Sequence, residues 1–157
     1  MDFRHIQFCY SETFSAADLV KLRQLLDRAA FWAKDRRDDD LQVAIAHSHP
    51  VVTAWDGEKM IGFARATSDG VYRATIWDVV IDPDYQGAGL GRKLVQTVLS
   101  HPHMSRVDRV YLMTTNQQRF YERIGFKENQ TTTMVIFNEP FEDALALSRE
   151  ETADILQ

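Results

Sequence analysis

Cysteine is almost absent from this chain, and so are the other marks of a secreted or membrane protein. Cys9 is the single cysteine among 157 residues, which excludes an intrachain disulfide and any zinc site built on cysteine ligands. No apolar run approaches the roughly 20 residues that a membrane-spanning helix needs. Residues 1–5 show no apolar stretch behind a basic head, so we expect no secretory signal, no membrane partner and a cytoplasmic protein.

An excess of basic residues is also lacking. The chain has 18 Lys and Arg against 23 Asp and Glu, which gives a net charge of −5. The whole excess lies in residues 139–157, where six acids accompany one arginine, so that residues 1–138 are neutral. A nucleic-acid partner requires a basic face for its phosphates, and the composition therefore argues against one. A local anion site is still compatible with a neutral surface.

The composition is that of one globular domain, with 45% hydrophobic and 26% charged residues. We expect residues 1–138 to form the domain and the acidic residues 139–157 to form an amphipathic tail helix that belongs to it. The tail would pack on the body or on a second subunit, so that a homodimer is left open.

Hydrophobic periodicity predicts alternating strands and helices. Ser15 and Asp18 form the pattern of a capping box, and Asp56-Gly57 is typical of a hairpin turn. The predicted strands cover residues 6–10, 51–55, 60–67, 74–81, 110–113 and 131–137. The predicted helices cover residues 16–33, 41–47, a segment from 90 to 99, and 116–124. This order, β-α-α-β-β-β-α-β-α-β, indicates a mixed α/β layer fold.

A glycine-rich loop lies between a buried strand and a helix. Residues 86–91, QGAGLG, hold three of the seven glycines. Glycine allows a ligand to approach the backbone closely, and the free N–H groups of a helix start attract anions. The loop therefore predicts a phosphate or pyrophosphate site, with a tight turn without ligand as the alternative. The Walker A pattern fails because Leu94 follows Lys93, and the dinucleotide pattern fails because Arg92 replaces its third glycine.

The loop fits the pattern [QR]-x-x-G-x-[GA] of the GNAT N-acetyltransferase superfamily, which the chain resembles over residues 5–138. The preceding stretch WDVVIDP is similar to the central strand of that family. The stretch FYERIGF, about thirty residues after the loop, resembles its F-Y-x-x-x-G-F motif. Within the family, the run WDVVIDPDYQGAGLGRKL resembles the cyanobacterial and plastid branch that includes serotonin-type arylalkylamine acetyltransferases.

The resemblance implies a fold and a co-substrate. The fold is a single α/β (α+β) domain with a central mixed sheet, flanking helices and one strand that is bulged and splayed from its neighbour. Acetyl-CoA is the implied co-substrate, without a metal. Its pantetheine arm would pair with the backbone of Val79, Val80 and Ile81. Its pyrophosphate would lie on the loop formed by Gln86, Gly87, Ala88, Gly89, Leu90, Gly91 and Arg92.

The resemblance also implies catalytic groups. The general-acid tyrosine of the family falls on Tyr121, for which packing between two phenylalanines is the alternative. A backbone N–H at the bulge, at Val79, would stabilise the thioester oxygen. The family often has an asparagine seven residues before the tyrosine; this chain has Thr114 there, and we assign the cofactor contact to the nearby Asn116.

The general base and the acceptor site are the least constrained. Asp78 is the carboxylate nearest the proposed bulge, and it is either the base or a structural aspartate that binds backbone freed by the bulge. Trp32 and Trp77 are candidates for an aromatic-amine pocket, with core packing as the alternative. We expect acetyl transfer to a small aromatic primary amine. A protein-lysine acetyltransferase and a non-catalytic CoA-binding module are the alternatives.

Overall fold

The structure, a computed structural model, describes residues 2–138. The chain divides into two compact units, Met1–Leu112 and Met113–Gln157. Within the described residues, no helix is both long and apolar enough to cross a membrane. The predicted tail helix over residues 139–157 lies outside the described part of the chain.

The first unit is a mixed five-stranded sheet with helices. The strands are β1 (Gln7–Tyr10), β2 (Val51–Asp56), β3 (Lys59–Ser68), β4 (Arg73–Ile81) and β5 (Arg109–Tyr111). The helices are α1 (Ala16–Ala29), α2 (Asp38–Ala46), α3 (Leu90–Ser100) and α4 (Pro102–Ser105), and short 3-10 turns cover Phe31–Ala33 and Pro83–Tyr85. The strand order is β1-β2-β3-β4-β5; the first four strands are antiparallel and β5 is parallel to β4. The predicted fold class is confirmed.

Helix α1 begins as the sequence predicts and ends earlier. The Ser15 hydroxyl accepts from the backbone N–H of Asp18, and the Asp18 carboxylate accepts from the N–H of Ser15, which completes the capping box. The helix was predicted to run to residue 33, but Ala30 adopts φ −131° and ψ 87° and ends it. This break allows a separate 3-10 turn to follow, with Ala33 buried.

Loss of the capping box is expected to destabilise the first unit measurably. Ser15→Ala removes the oxygen that satisfies a backbone N–H of the first turn, which typically costs about 1 kcal/mol. Urea unfolding should show this loss, whereas Ser105→Ala, at an exposed serine of α4, should change stability by less than about 0.3 kcal/mol. Equal midpoints for the two variants would contradict the role of the cap.

The two faces of the sheet are covered by different helices. On one face, α1 and α2 pack their leucines against Val51, Phe63 and Val80. Because side chains alternate along a strand, Val52 projects from the other face, where it is fully buried. Helix α3 contacts β2, β3 and β4 and buries one apolar side. This arrangement fixes the ends of β4 and the start of α3, which carry the candidate site.

Strand β4 is bulged and only partly paired with β5. Its register with β3 passes from Val80 opposite Phe63 to Trp77 opposite Arg65, so Asp78 and Val79 together oppose Ala64. Its pairing with β5 covers only residues 73–75 of β4. The carboxyl-terminal half of β4 is therefore unpaired on that side among the described residues. The implied bulge and splay are both present.

The second unit contains one short helix in its described part. This helix, α5 (Gln118–Glu122), is shorter than the predicted 116–124, because Gln117 and Arg123 are its caps. The predicted strand over residues 131–137 is wrong: no residue there is in a strand, and Met134 and Ile136 are 90% and 84% exposed. Its β-branched residues favour an extended chain, but a strand requires a neighbour that completes its hydrogen bonds.

Candidate functional site

The glycine-rich loop has the backbone shape of an anion cradle. Gly87 and Gly89 adopt φ angles of 83° and 81°, in the left-handed region that favours glycine. A Cβ added at either position would meet nothing within 4 Å, so open space lies beside both residues. Residues 86–89 are exposed. The predicted loop therefore has the room that a ligand needs.

The start of α3 leaves its amides available. Gly89 is the N-cap residue and no side chain caps the helix. Within the described part of the chain, the backbone N–H groups of residues 87–92 donate no hydrogen bond to another residue. The helix dipole adds partial positive charge at this end. Free donors, a favourable dipole and open space together fit a phosphate or pyrophosphate group.

Side chains around the loop hold it at the end of β4. The Gln86 amide donates to the carbonyl oxygen of Ile81 at 3.0 Å, and the N–H of Asp82 donates to the carbonyl of Ile61 at 2.7 Å. Arg28 forms an ion pair of 2.7 Å with the buried Asp82.

Arg92 is exposed, and no ion pair to it occurs within residues 2–138. Its guanidinium is therefore available to an anion on the loop.

Asp78 is the centre of a buried polar group at the bulge. Its carboxylate accepts from Trp32 Nε1 at 3.2 Å, from an Arg36 guanidinium nitrogen at 2.9 Å and from Arg65 Nε at 2.8 Å. Only 6% of the Asp78 side chain is exposed. We call these four residues the Asp78 cluster. It connects the bulge to β3 and to the segment between α1 and α2.

The pKa of Asp78 bears on its two predicted roles. Burial on its own raises the pKa of the carboxyl, but the positive charges of Arg36 and Arg65, with their hydrogen bonds, outweigh burial and hold the pKa below its usual value. Such a carboxylate is ionised at neutral pH and is a weak base. All three partners also occupy its oxygens. The geometry favours a structural role, but the partners of the carboxylate are three side chains and not the backbone freed by the bulge that the sequence suggested.

The predicted acceptor residues lie around the same cluster. Trp32 is a member, and its ring meets Phe31 edge to face at 5.1 Å. Trp77 lies opposite Arg65, whose guanidinium carbon is 5.9 Å from the centre of the Trp77 ring. Arg36 and Arg65 were not predicted. A cross-strand pattern could have suggested Arg65, because β3 and β4 are hairpin neighbours, but nothing in the sequence indicates Arg36.

Tyr121 and Asn116 belong to the second unit. Tyr121, on α5, is 7% exposed and meets the rings of Phe120 and Phe126 edge to face at 4.9 and 5.8 Å. Burial raises the pKa of its hydroxyl to about 12, which keeps the phenol protonated at neutral pH. Asn116 is exposed and accepts from the Gln117 side chain at 3.4 Å.

Comparison with known proteins agrees with this geometry. Residues 19–126 match the Acetyltransferase (GNAT) family. An uncharacterized N-acetyltransferase, ycf52, of Pyropia yezoensis is 34% identical over 69% of this chain and 64% of its own length. Histone acetyltransferase TAP1 of Glycine max is 41% identical over 45% of this chain and 31% of its own. The chain thus spans less than two thirds of these curated relatives.

Solved structures show the same fold. A GNAT-family acetyltransferase from Streptococcus pneumoniae superimposes with a TM-score of 0.69 at 23% identity, over 85% of this chain and 99% of the other. At that identity the likeness concerns the fold alone, and the sequence match carries the family assignment. The chain belongs to the GNAT family of acetyltransferases.

Proposed function

We propose that the protein transfers an acetyl group from acetyl-CoA directly to the primary amine of a small aromatic acceptor. The observation that carries the proposal is the loop at residues 86–92, whose amides, positive φ glycines and open space fit the pyrophosphate of the donor. The unpaired end of β4, residues 79–81, supplies a strand edge along which an extended pantetheine arm can bind.

We assign different steps of the reaction to different residues of this chain. Acetyl-CoA supplies the activated thioester. We assign the stabilisation of negative charge on the acyl oxygen to the backbone N–H of Val79, at the bulge, because such donors are usually a large part of catalysis. Tyr121 is the proposed proton donor to the departing thiolate, because it stays protonated at neutral pH. Asn116 is a proposed donor contact.

The amine must lose a proton before it attacks, since a free alkyl ammonium has a pKa of about 10. Asp78 does not suit direct proton removal, because two guanidinium groups lower the pKa of its carboxyl. We therefore propose that the amine enters in its neutral form or loses its proton to water. This assignment gives Asp78 no part in proton transfer.

The acceptor is proposed on the side chains near the bulge. Trp32 and Phe31 form an edge-to-face pair, of which Phe31 is 44% exposed, and Trp77 lies on the neighbouring strand. Exposed and half-buried rings of this kind suit a planar aromatic amine. Protein lysine is the second candidate, favoured by the similarity to a histone acetyltransferase of Glycine max.

A panel of acceptors separates these candidates. We expect arylalkylamines such as tryptamine to give at least about tenfold higher kcat/KM than alkyl amines of similar length, because one buried aromatic contact is worth about 1.4 kcal/mol in such a comparison. Thiol release from acetyl-CoA measures the rate with each amine. Faster turnover of lysine peptides would select the second candidate, and CoA binding without transfer to any acceptor would indicate a binding module.

A further inference from the structure

Two residues with a left-handed backbone conformation lie at the Arg36–Asp78 ion pair of the first unit. Among residues 2–138, only Asp35 and Asp78 combine a positive φ, 63° and 55°, with a side chain other than that of glycine. Asp78 is itself a member of the Arg36–Asp78 pair, and Asp35 immediately precedes Arg36. Such conformations persist only where the surrounding contacts determine them, and they cluster at functional sites.

The contacts that hold these positions are polar and specific. The N–H of Asp35 donates to the Asp27 carboxylate at 3.3 Å, so the turn that presents Arg36 is tied to α1. Arg65 binds Asp78 through Nε and the Ser48 hydroxyl through a second guanidinium nitrogen at 3.2 Å, and Ser48 in turn donates to the carbonyl of Ala44. The Asp78 cluster thus joins the bulge to α2 as well as to α1.

The bulge benefits from such support because it departs from regular strand pairing. Asp78 and Val79 share the single partner Ala64 between the pairs Trp77–Arg65 and Val80–Phe63, and the pairing of β4 with β5 ends at Thr75. The contacts of the Asp78 side chain therefore add a constraint on the peptide unit between Asp78 and Val79. That peptide unit carries the N–H assigned to the acyl oxygen.

We propose that Asp78 is a positioning residue, which acts through its contacts with Trp32, Arg36 and Arg65 to hold the Val79 amide in its catalytic orientation. The inference rests on the proposed function and deepens it, because it assigns a role to a buried carboxylate that the reaction does not otherwise use. It also makes the segment between α1 and α2 part of the catalytic framework, since Trp32 and Arg36 both lie there.

The test is a double-variant cycle on Asp78→Asn and Arg65→Gln. We expect each single change to lower kcat by about 10-fold to 100-fold, because small misplacements of a catalytic donor have effects of that size. The double variant should be no slower than the slower single variant, since both changes disrupt the same contact between Arg65 and Asp78. The affinity for CoA, measured by calorimetry, should stay within about threefold.

The pH profile distinguishes positioning from proton transfer. A positioning role lowers kcat at every pH and leaves the shape of the profile unchanged. A base would behave differently: Asp78→Asn would remove the acidic limb, and Arg65→Gln would raise the pKa of Asp78 and move that limb to higher pH while kcat is kept. Either of these changes would overturn the proposal.

Controls address stability and folding. Met104→Ala, at a buried position on α4, gives a destabilised protein in which β3 and the bulge keep their residues, and its kcat should stay within about twofold. A loss of kcat in Met104→Ala equal to that in Asp78→Asn would show that the effect comes from lost stability and would overturn the proposal. If Asp78→Asn does not fold, Arg36→Gln replaces it, because the Arg36 side chain is 34% exposed.

A binding readout separates the inference from the proposed function. In the wild-type protein, acetyl-CoA should shift the amide signals of Val79 and Gly89 in nuclear magnetic resonance spectra. In Asp78→Asn the Val79 shift should be lost and the Gly89 shift kept. Persistence of the Val79 shift would overturn the positioning role, whereas a wild-type protein that shows both shifts without acetylating any amine would overturn only the proposed function.

Discussion

Replacing Gly89 by valine is expected to weaken CoA binding at least about 100-fold while the first unit stays folded. Gly89 has φ 81°, and a Cβ there points into open space beside the helix start. In the free protein the branched side chain meets no neighbour, so the direct cost is the left-handed backbone, about 1–2 kcal/mol. In the complex it would occupy the volume that we assign to the pyrophosphate.

The hairpin between β2 and β3 offers a matched control for this experiment. Gly57 also has a positive φ, 58°, and also has nothing within 4 Å of an added Cβ. Gly57→Val should therefore destabilise the fold by a similar amount and leave CoA affinity within about twofold. Calorimetric titration of both variants gives the comparison. Equal affinities for CoA in the two variants would show that the loop is not part of the donor site.

Replacing Tyr121 by phenylalanine is expected to lower kcat by about 100-fold to 10,000-fold, the usual contribution of a positioned acid. The change removes one oxygen and keeps the ring, so the edge-to-face contacts with Phe120 and Phe126 should survive. CoA affinity should stay nearly constant, the pattern of an interaction made mainly in the transition state. A kcat within about twofold of wild type, about 0.4 kcal/mol in barrier, would leave Tyr121 as a packed aromatic residue.

The pH dependence adds a second measurement for Tyr121. Burial raises the pKa of its hydroxyl to about 12, so the proton is lost only near the alkaline end of the accessible range. The ratio of wild-type to Tyr121→Phe kcat should therefore be constant between about pH 7 and pH 10. Because the folded pKa exceeds the unfolded value of about 10, the tyrosine also stabilises the fold below pH 10, and this contribution disappears as the pH rises toward about 12.

Features that depend on neighbours in sequence were predictable. The capping box at Ser15, the hairpin turn at Gly57 and the loop around Gly89 each follow from residue types a few positions apart, and the structure confirms them. The presence of a bulge followed from the family resemblance, and the structure locates it at Asp78 and Val79. The family assignment rested on two motifs, which the match over residues 19–126 includes.

Features that depend on tertiary contacts were not predictable. Arg36 reaches Asp78 from 42 positions earlier in the chain, and no local pattern indicates that pairing. The left-handed turn at Asp35 is equally hidden, because most aspartates do not adopt it and the contact that accompanies it here, with Asp27, lies eight positions earlier. The predicted strand over residues 131–137 was wrong for the converse reason: its composition favours strands, but no partner strand lies beside it in the described part of the chain.

Because no side chain caps the start of α3, the free energy of unfolding of this protein depends on whether an anion is bound there. Helix α1 completes its first turn with the Ser15 side chain, whereas α3 has only glycine at that position. A bound anion would take over the missing cap, and its binding free energy would add to the folding free energy by mass action, about 2.7 kcal/mol at a concentration 100 times the dissociation constant. If the proposed donor supplies that anion, scarcity of the donor would lower the stability of the folded protein, and its abundance in the cell would fall.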